Sequence, residues 1–486
     1  MSGLGIVLLG LAAILLPVTG LPAFAVLLAM AVLGAVLGVS TGIVDLALLT
    51  ALPIRLVNLL ESDLLQALPL YILMGGLLNR LPIADALFRS TMRLVRGSPA
   101  GPAVAAVGLG ALLGPMNGSV GASVVALSRS AAPRLTASGM PAPARHALIA
   151  VASTLGLVVP PSLVLILLGD AMMAAHTIAL HTNGRADRIL NTQDVFRGAL
   201  VPAGLFLIAC TAVAVLSARK SPVAPASRTA SALGDALVAG AALAFVGTLL
   251  VGVAAGYFYA VEGAAAGAFV LFVTALSSGR LSGGALHALL ADTIATTGAL
   301  FALLVAATTF TLVFRALGTD RLLDAWIGAL PGGAGLATLV VLGAIGVSAL
   351  ALDAFEIIFV LVPVLMPPLL TRVPDASWVA VLVLLTLQAS FLLPPIGYAL
   401  LMTRGVLGER VPTPAVARRL APYLIAQVIV FACVFVFPGL VHFGQSESMA
   451  IPTSASPPMS DEEATLRMHE MIAPPPGPGD DATQEK

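Results

Sequence analysis

Charge is scarce in this 486-residue chain. Asp, Glu, Lys and Arg make up 10% of it, against 59% hydrophobic residues and a mean hydropathy of +1.03. Soluble globular domains carry about 25% charged residues, so the composition excludes that class and reads as a polytopic membrane protein. Cysteine is nearly absent: Cys210 and Cys433, both within apolar runs, are too few for a disulfide framework or a metal cluster and read as core residues. The six histidines, His146, His176, His181, His287, His442 and His469, show no HExxH or other ligand spacing, and there is no Walker A lysine motif. The chain therefore does not read as an enzyme, and any transport would draw on an ion gradient.

The net charge of zero hides an asymmetry. Residues 444–486 hold eight acids and two bases, so the rest of the chain keeps 16 acids and 22 bases. Such a surplus suits a membrane protein with basic cytoplasmic loops, and no nucleic-acid face follows from it. The Pro-, Ser- and acid-rich tail reads as disordered and solvated. Met1 to Gly5 has no Lys or Arg ahead of the apolar run, so a first membrane helix is expected there rather than a cleavable leader.

What is abundant is apolar sequence, in segments at about 4–16, 21–39, 64–79, 102–128, 145–175, 196–216, 233–251, 261–277, 288–317, 335–370, 377–403 and 420–443. A helix needs roughly 20 residues to cross the hydrocarbon core. Four segments are interrupted. Residues 153–163 run Ser-Thr-Leu-Gly-Leu-Val-Val-Pro-Pro-Ser-Leu, and residues 387–397 run Leu-Gln-Ala-Ser-Phe-Leu-Leu-Pro-Pro-Ile-Gly, their Pro-Pro pairs 234 positions apart. Proline removes a backbone donor and breaks a helix, which lipid tolerates only where the freed groups are packed in protein or line a cavity. Residues 102–128 break at Gly114–Ser119 and residues 335–370 near Ala351–Glu356, leaving arms too short to span, so both read as re-entrant hairpins.

Loop charges orient these parts. Arg80, Arg89, Arg93 and Arg96 precede the first hairpin, and Arg129, Arg134 and Arg145 follow it. Arg219, Lys220 and Arg228, and later Arg404, Arg410, Arg418 and Arg419, return to the same face, which is cytoplasmic by the positive-inside rule. Residues 176–195 then form an outer loop long enough to meet a partner, and the N-terminus and tail fall outside. Hairpin followed by Pro-Pro-broken helix occurs twice in opposite orientation, an inverted repeat. Residues 43–63 are amphipathic and suited to the interface. The expected divisions are N-terminal scaffold and interfacial helices (1–100), first hairpin and broken helix (101–175), outer loop, linker and scaffold helices (176–334), second hairpin and broken helix (335–405), last helix (406–443) and tail (444–486).

Broken elements converging at the bilayer midplane offer helix N-termini for a carboxylate and unwound carbonyls for a cation. The substrate candidates are Asn117, Gly118, Ser119, Ser123, Pro161, Ser162, Pro395 and Gly397. The candidates for Na⁺ are Ser153, Thr154, Gly156, Asp353, Gln388 and Ser390. Against these stand plainer readings. Membrane Ser and Thr commonly bond their own backbone, and Asp353 could serve as a proton or hairpin-stabilising group. Asp170 suits a helix end, and Arg55, Arg315 and Arg404 suit boundary anchors. Gly108, Gly110 and Gly114 follow no strand and read as helix packing rather than a dinucleotide loop. Na⁺ and H⁺ both satisfy the residues.

Five stretches in order resemble the large membrane subunit of tripartite ATP-independent periplasmic (TRAP) transporters over about residues 4–443. They are Leu68 to Asn79, Ser153 to Ser162, Glu262 to Ala268, Asp353 with Val362-Pro363 and Met366-Pro367, and Leu393 to Gly397. The chain departs at Pro115–Ser119, where a Gly-Ser-Gly-like turn is frequent, at Gln388, where an acid is common, and at Leu393, where Thr is common. The resemblance implies an all-α, elevator-type, sodium-coupled importer of an organic anion in a bacterial inner membrane. It would work with a small four-helix membrane subunit and a soluble periplasmic substrate-binding protein. A stand-alone ion-coupled anion carrier with the same inverted repeat is the alternative.

Overall fold

A computed structural model describes residues 3–45, 47, 50–61, 63–95, 98–117, 119–160, 162–184, 188–218, 232–394 and 397–443. Among them every regular element is helical. The first part holds α1 (Leu4–Thr19), α2 (Ala23–Ser40), α3 (Leu52–Leu60), α4 (Asp63–Arg80) and α5 (Ile83–Leu94). The first hairpin and broken helix follow as α6 (Gly101–Leu113), α7 (Val120–Ser130), α8 (Ala132–Ala137), α9 (Ala142–Val158) and α10 (Leu163–Asn183). Then come α11 (Thr192–Ala218), α12 (Ala232–Ala255), α13 (Ala260–Ser277), α14 (Gly283–Ala316) and α15 (Thr319–Ala329). The second half closes with α16 (Gly333–Ser348), α17 (Ala354–Leu370), α18 (Ala376–Ser390), α19 (Tyr398–Leu407) and α20 (Thr413–Val436). Seven of the described helices are long and apolar enough to cross a membrane: α2, α10, α11, α12, α13, α14 and α20. The molecule is an all-α polytopic membrane protein.

The interruptions fall where the prolines and glycines put them. α9 stops at Val158 because Val159, which precedes Pro160, is driven out of the helical region to φ −78°, ψ 116°. α18 stops at Ser390, and the chain doubles back so that Gly397 N donates to Leu393 O at 2.8 Å and Ala399 N to Phe391 O at 3.1 Å. A Cβ on Gly397 would stand 2.7 Å from Phe391 O and 2.8 Å from Leu393 O, so only glycine fits. In α17 the run Ile357–Leu361 widens to a π-helix just ahead of Pro363. The wider turn falls where Pro363 offers no N–H to the helical ladder.

Interrupted helices need protein around them, and the two first arms occupy the centre. Every residue of α9 from Arg145 to Val158 is buried, and α9 packs against α6, α7, α11, α18, α19 and α20. α18 is buried along most of its length. By contrast α2, α13 and α14 turn bare apolar residues outward, among them Val32, Val36, Phe269 and Ile294, as lipid-facing helices do. Cys210 is buried and Cys433 partly buried, and both are free thiols.

Several expectations change. The segment 176–195 is not a long loop: α10 runs to Asn183 and α11 starts at Thr192. His176 lies within this helix, and its Nδ1 accepts from Leu190 N at 3.1 Å, which fastens the short connection to α10. The basic stretches around the first hairpin are helical rather than loops. α5 is an amphipathic helix, with Ile83, Ala86, Leu87 and Phe88 buried, and Arg145 lies inside α9. The last helix packs on α9, α11 and α18. There Gln427 Nε2 donates to Leu385 O at 3.0 Å and Trp378 Nε1 to Val434 O at 2.9 Å. The 43–63 region holds α3, which has no buried residue. Residues 219–231 and the acidic tail lie outside the described residues.

Ion pairs tie the basic face together. Asp235 at the start of α12 receives Arg89 of α5 bidentately, at 2.9 and 2.7 Å, and Arg93 at 3.2 Å. The carboxylate raises the affinity of Arg89 for its proton through that hydrogen bond. Asp85, also on α5, pairs with Arg134 of α8 at 2.8 Å, and the Arg134 guanidinium covers the Phe88 ring at 5.1 Å. Arg145 of α9 pairs with Glu409, just beyond Gly408, which ends α19 in the left-handed region at φ 66°. Arg145 is buried whereas Glu409 is 40% exposed, so solvent screens part of the interaction. Glu409→Gln is expected to cost about 1–3 kcal/mol by leaving the buried guanidinium without its counter-charge. Asp292→Asn on the exposed side of α14 should stay within about 0.5 kcal/mol. Thermal unfolding of both variants in detergent checks this.

Candidate functional site

The tip of the first hairpin meets the break in the first interrupted helix, and the contact is backbone to backbone. A Cβ on Gly110 would overlap the Ala152 carbonyl, and one on Gly156 would overlap the Gly114 backbone. One on Gly114 would stand 2.9 Å from Gly156 Cα. Glycine on both sides therefore sets how closely α6 and α9 approach. Gly108 has open space where a Cβ would go, so the packing role read from the sequence holds for Gly110 and Gly114 and not for Gly108.

Beside this contact lies a cavity lined by Gly114, Pro115, Ser119, Ser123, Ser153, Gly156 and Ser162 among others, with about 10 Å³ for the centre of a water-sized sphere. That is room for about one water or one small ion. Ser119 is the N-cap of α7, its Oγ accepting from Ala122 N at 3.1 Å. Ser123 Oγ donates to Ser119 O at 3.0 Å and reaches Gly114 O at 3.4 Å. Ser153 Oγ donates to Ala150 O at 2.7 Å, which leaves its lone pairs free. Ser162 is the buried N-cap residue of α10 and makes no side-chain cap. The lining combines four serines with apolar Pro115, Val120, Leu157 and Val164; among the described residues its only side-chain oxygens are hydroxyls, which together with backbone carbonyls can coordinate a hard monovalent cation.

The structure gathers Ser119, Ser123, Ser153, Gly156 and Ser162 here and leaves the other candidates elsewhere. Thr154 is buried one position along and bonds back to Val151 O at 2.9 Å. Asp353 is the N-cap residue of α17, where its backbone N–H donates to Glu356 Oε2 at 3.1 Å. Ser390 faces Gly346 of α16, where a Cβ would lie 3.3 Å from its Oγ. Gln388 is fully buried in α18 with neither amide atom hydrogen-bonded among the described residues. Such a group calls for a water or an ion. Gly397 sits in the tight turn before α19. Gly118, Pro161 and Pro395 lie outside the described residues, as does the side chain of Asn117. Of the anchor readings, Arg404 pins the next turn through Val411 O at 3.0 Å and Thr413 Oγ1 at 2.8 Å.

Sequence reasoning missed Tyr398 and Gln427. Tyr398 opens α19, its ring packed on Phe391 with centroids 5.8 Å apart and its hydroxyl against Gly121 of α7. It links the second broken helix to the first hairpin, and the aromatic after Pro-Pro-Ile-Gly was the available signal. Gln427 is a single polar residue in an apolar helix, a pattern that points inward but names no partner.

Two hairpins and two interrupted helices packed into one buried core define a multi-pass membrane transport protein. The chain belongs to the TRAP large-permease family: the family model described as "Tripartite ATP-independent periplasmic transporter, DctM component" matches residues 8–440. It is 22% identical over 448 residues to the C4-dicarboxylate TRAP transporter large permease protein DctM of Rhodobacter capsulatus, covering 88% of this chain and 98% of that one. It is 24% identical over 389 residues to the 2,3-diketo-L-gulonate TRAP transporter large permease protein YiaN of Escherichia coli, covering 79% and 87%. It is 24% identical over 397 residues to the sialic acid TRAP transporter permease protein SiaT of Haemophilus influenzae, covering 80% and 61%. These relatives are named as transporter permeases, not enzymes. The fold also matches the crystal structure of the Alcanivorax borkumensis YdaH transporter at a TM-score of 0.56 and 18% identity, covering 81% of this chain and 88% of that one. That likeness speaks to fold alone.

The glycine contact generates a test. Gly156→Ala should force α9 from α6 and cost about 1–3 kcal/mol as an overpacked site, with transport lost. Gly108→Ala should leave both melting temperature and transport near wild type.

Proposed function

We propose that this secondary-transporter permease imports a small organic anion, a carboxylate by class, by coupling its uptake to Na⁺. It lies in a bacterial inner membrane. Its partners are a small four-helix membrane subunit and a soluble periplasmic binding protein that delivers the substrate. The observation that carries the reading is the serine- and carbonyl-lined cavity between the first hairpin tip and the interrupted α9–α10 helix. Its oxygen donors and its size suit one dehydrated Na⁺. The relatives named above are named for C4-dicarboxylate, sialic acid and diketogulonate, all organic acids, which supports the substrate class.

The mechanism follows from which groups are fixed and which are free. Ser153 and Gly156 belong to the interrupted helix, while Gly114, Ser119 and Ser123 belong to the hairpin. A cation between them draws both together, and the helix N-termini at Ser119 and Ser162 then face a carboxylate with their partial positive charge. The second half contributes the matching break at Ser390–Gly397 and the partnerless Gln388 amide. In the elevator reading the two hairpins and two interrupted helices travel as one body against α2, α4, α13 and α14, and α11 and α20 travel with them because they pack on α9 and α18.

The test is uptake into proteoliposomes holding this chain and its small subunit, with binding protein added outside. Uptake should require both an inward Na⁺ gradient and the binding protein. Ser119→Ala and Ser153→Ala should each raise the Na⁺ concentration for half-maximal uptake about tenfold, the loss of roughly 1.4 kcal/mol of ion binding. Uptake indifferent to Na⁺ and driven by a pH gradient would overturn sodium coupling. Na⁺-driven uptake without the binding protein would favour the stand-alone carrier.

A further inference from the structure

A second cavity, with about 170 Å³ for the centre of a water-sized sphere, lies where the end of α10 and the C-terminal half of α17 meet α14 and α15. Four charged side chains line it: Arg315 at the end of α14, and Asp320, Arg321 and Asp324 on α15. Its walls include Phe314, Val364 and Pro367. None of the four is in an ion pair among the described residues. The guanidinium of Arg315 has one weak hydrogen bond, 3.4 Å to Pro363 O. Asp320 and Asp324 are four residues apart, so they project from the same face of α15. Arg315 is half-buried, while the three on α15 are exposed.

Position and charge together narrow the ligand. α15 is a short amphipathic helix with Trp326 56% exposed, the signature of an element at headgroup depth. Two guanidinium and two carboxylate groups fit neither a simple anion nor a simple cation, but they do fit a ligand carrying both charges. Arginine favours phosphate through its planar donor fork. Carboxylates favour a cation that can donate N–H bonds, as a primary ammonium can. A quaternary ammonium would instead seek an aromatic cage, and the cavity offers the single ring of Phe314. The apolar wall suits the start of the acyl chains.

We propose that this cavity binds the headgroup of an ethanolamine-type phospholipid, its phosphate on Arg315 and Arg321 and its ammonium on Asp320 and Asp324. The site joins α14 and α15 to α10 and α17, which come from different parts of the fold. A bound lipid therefore wedges between them, and its affinity must change if those elements move relative to one another. The proposal stands independently of the coupling ion and the substrate.

The test is native mass spectrometry of the detergent-purified full chain with its small subunit, after incubation with equal amounts of ethanolamine, choline and glycerol phospholipids. The expected result is preferential retention of the ethanolamine lipid. Arg315→Gln should lower it about tenfold, and Asp320→Asn with Asp324→Asn should lower it similarly while raising retention of the glycerol lipid. Because α15 is exposed, the aspartate variant should fold even if Arg315→Gln does not, and Arg315→Lys, which keeps the charge and loses the fork, should retain lipid to a degree between Arg315→Gln and the unaltered protein. Equal retention of the three lipids, or retention untouched by both sets of changes, would overturn the proposal. So would preference for the glycerol lipid in the unaltered protein, or displacement of bound lipid by a soluble dicarboxylate.

Discussion

A peptide group without a partner is intolerable in hydrocarbon, and the architecture follows from that rule. One helix ends at Val158, two residues before Pro160, and another at Ser390, four before Pro394. The groups freed at these ends have to be enclosed by protein. The interrupted α9 and α18 therefore lie at the centre and the hairpins close over them, while the uninterrupted α2, α13 and α14 can face lipid. The same enclosure leaves a small space at the first break, to which Ser119 and Ser162 come from helix starts and Ser123 and Ser153 from within helices.

The breaks were legible because Pro, Gly and polar residues in an apolar run are hard to miss, and described helices end at Leu113, Val158, Ser348 and Ser390, close to the residues that marked them. Hydropathy was blind to α5, α8 and α15, whose arginines and aspartates lower the average until a helix looks like a loop. In α5 the burial of Ile83, Ala86, Leu87 and Phe88 along one face was the periodic signal that a charge count overlooks. The His176–His181 end of α10 was misread because His176, Thr177, His181, Thr182 and Asn183 break up the apolar run. The site was half legible. Small and polar residues beside a break marked Ser119, Ser153 and Ser162, but distance is not written in sequence. The Asp353-Ala-Phe-Glu356 spacing ahead of an apolar run was a capping-box signal that went unread, whereas nothing in the residue types said that Ser390 turns toward α16.

Close approach does for the interior what the breaks do for its chemistry. Gly110, Ala152, Gly114 and Gly156 bring two backbones into contact where larger side chains would keep them apart, and this holds the hairpin tip at the mouth of the interrupted helix. Trp378 and Gln427 perform a comparable task further out. Each spends a polar group on a neighbour's carbonyl, and so the last helix is fastened to the core rather than left among the lipid-facing ones.

The ion pairs on α5 have a consequence of their own. Asp235 on α12 holds one end of that helix through Arg89 and Arg93, and Arg134 on α8 holds it through Asp85. The first hairpin is thus moored to a lipid-facing helix by two electrostatic links in series. Any sliding of α8 past α12 has to stretch or reseat one of them. Both links are partly exposed to water, and exposed charges are screened over about 8–10 Å at physiological salt. The drag on such sliding is then set by the solution bathing the basic face, and ionic strength acts on this molecule as a lubricant.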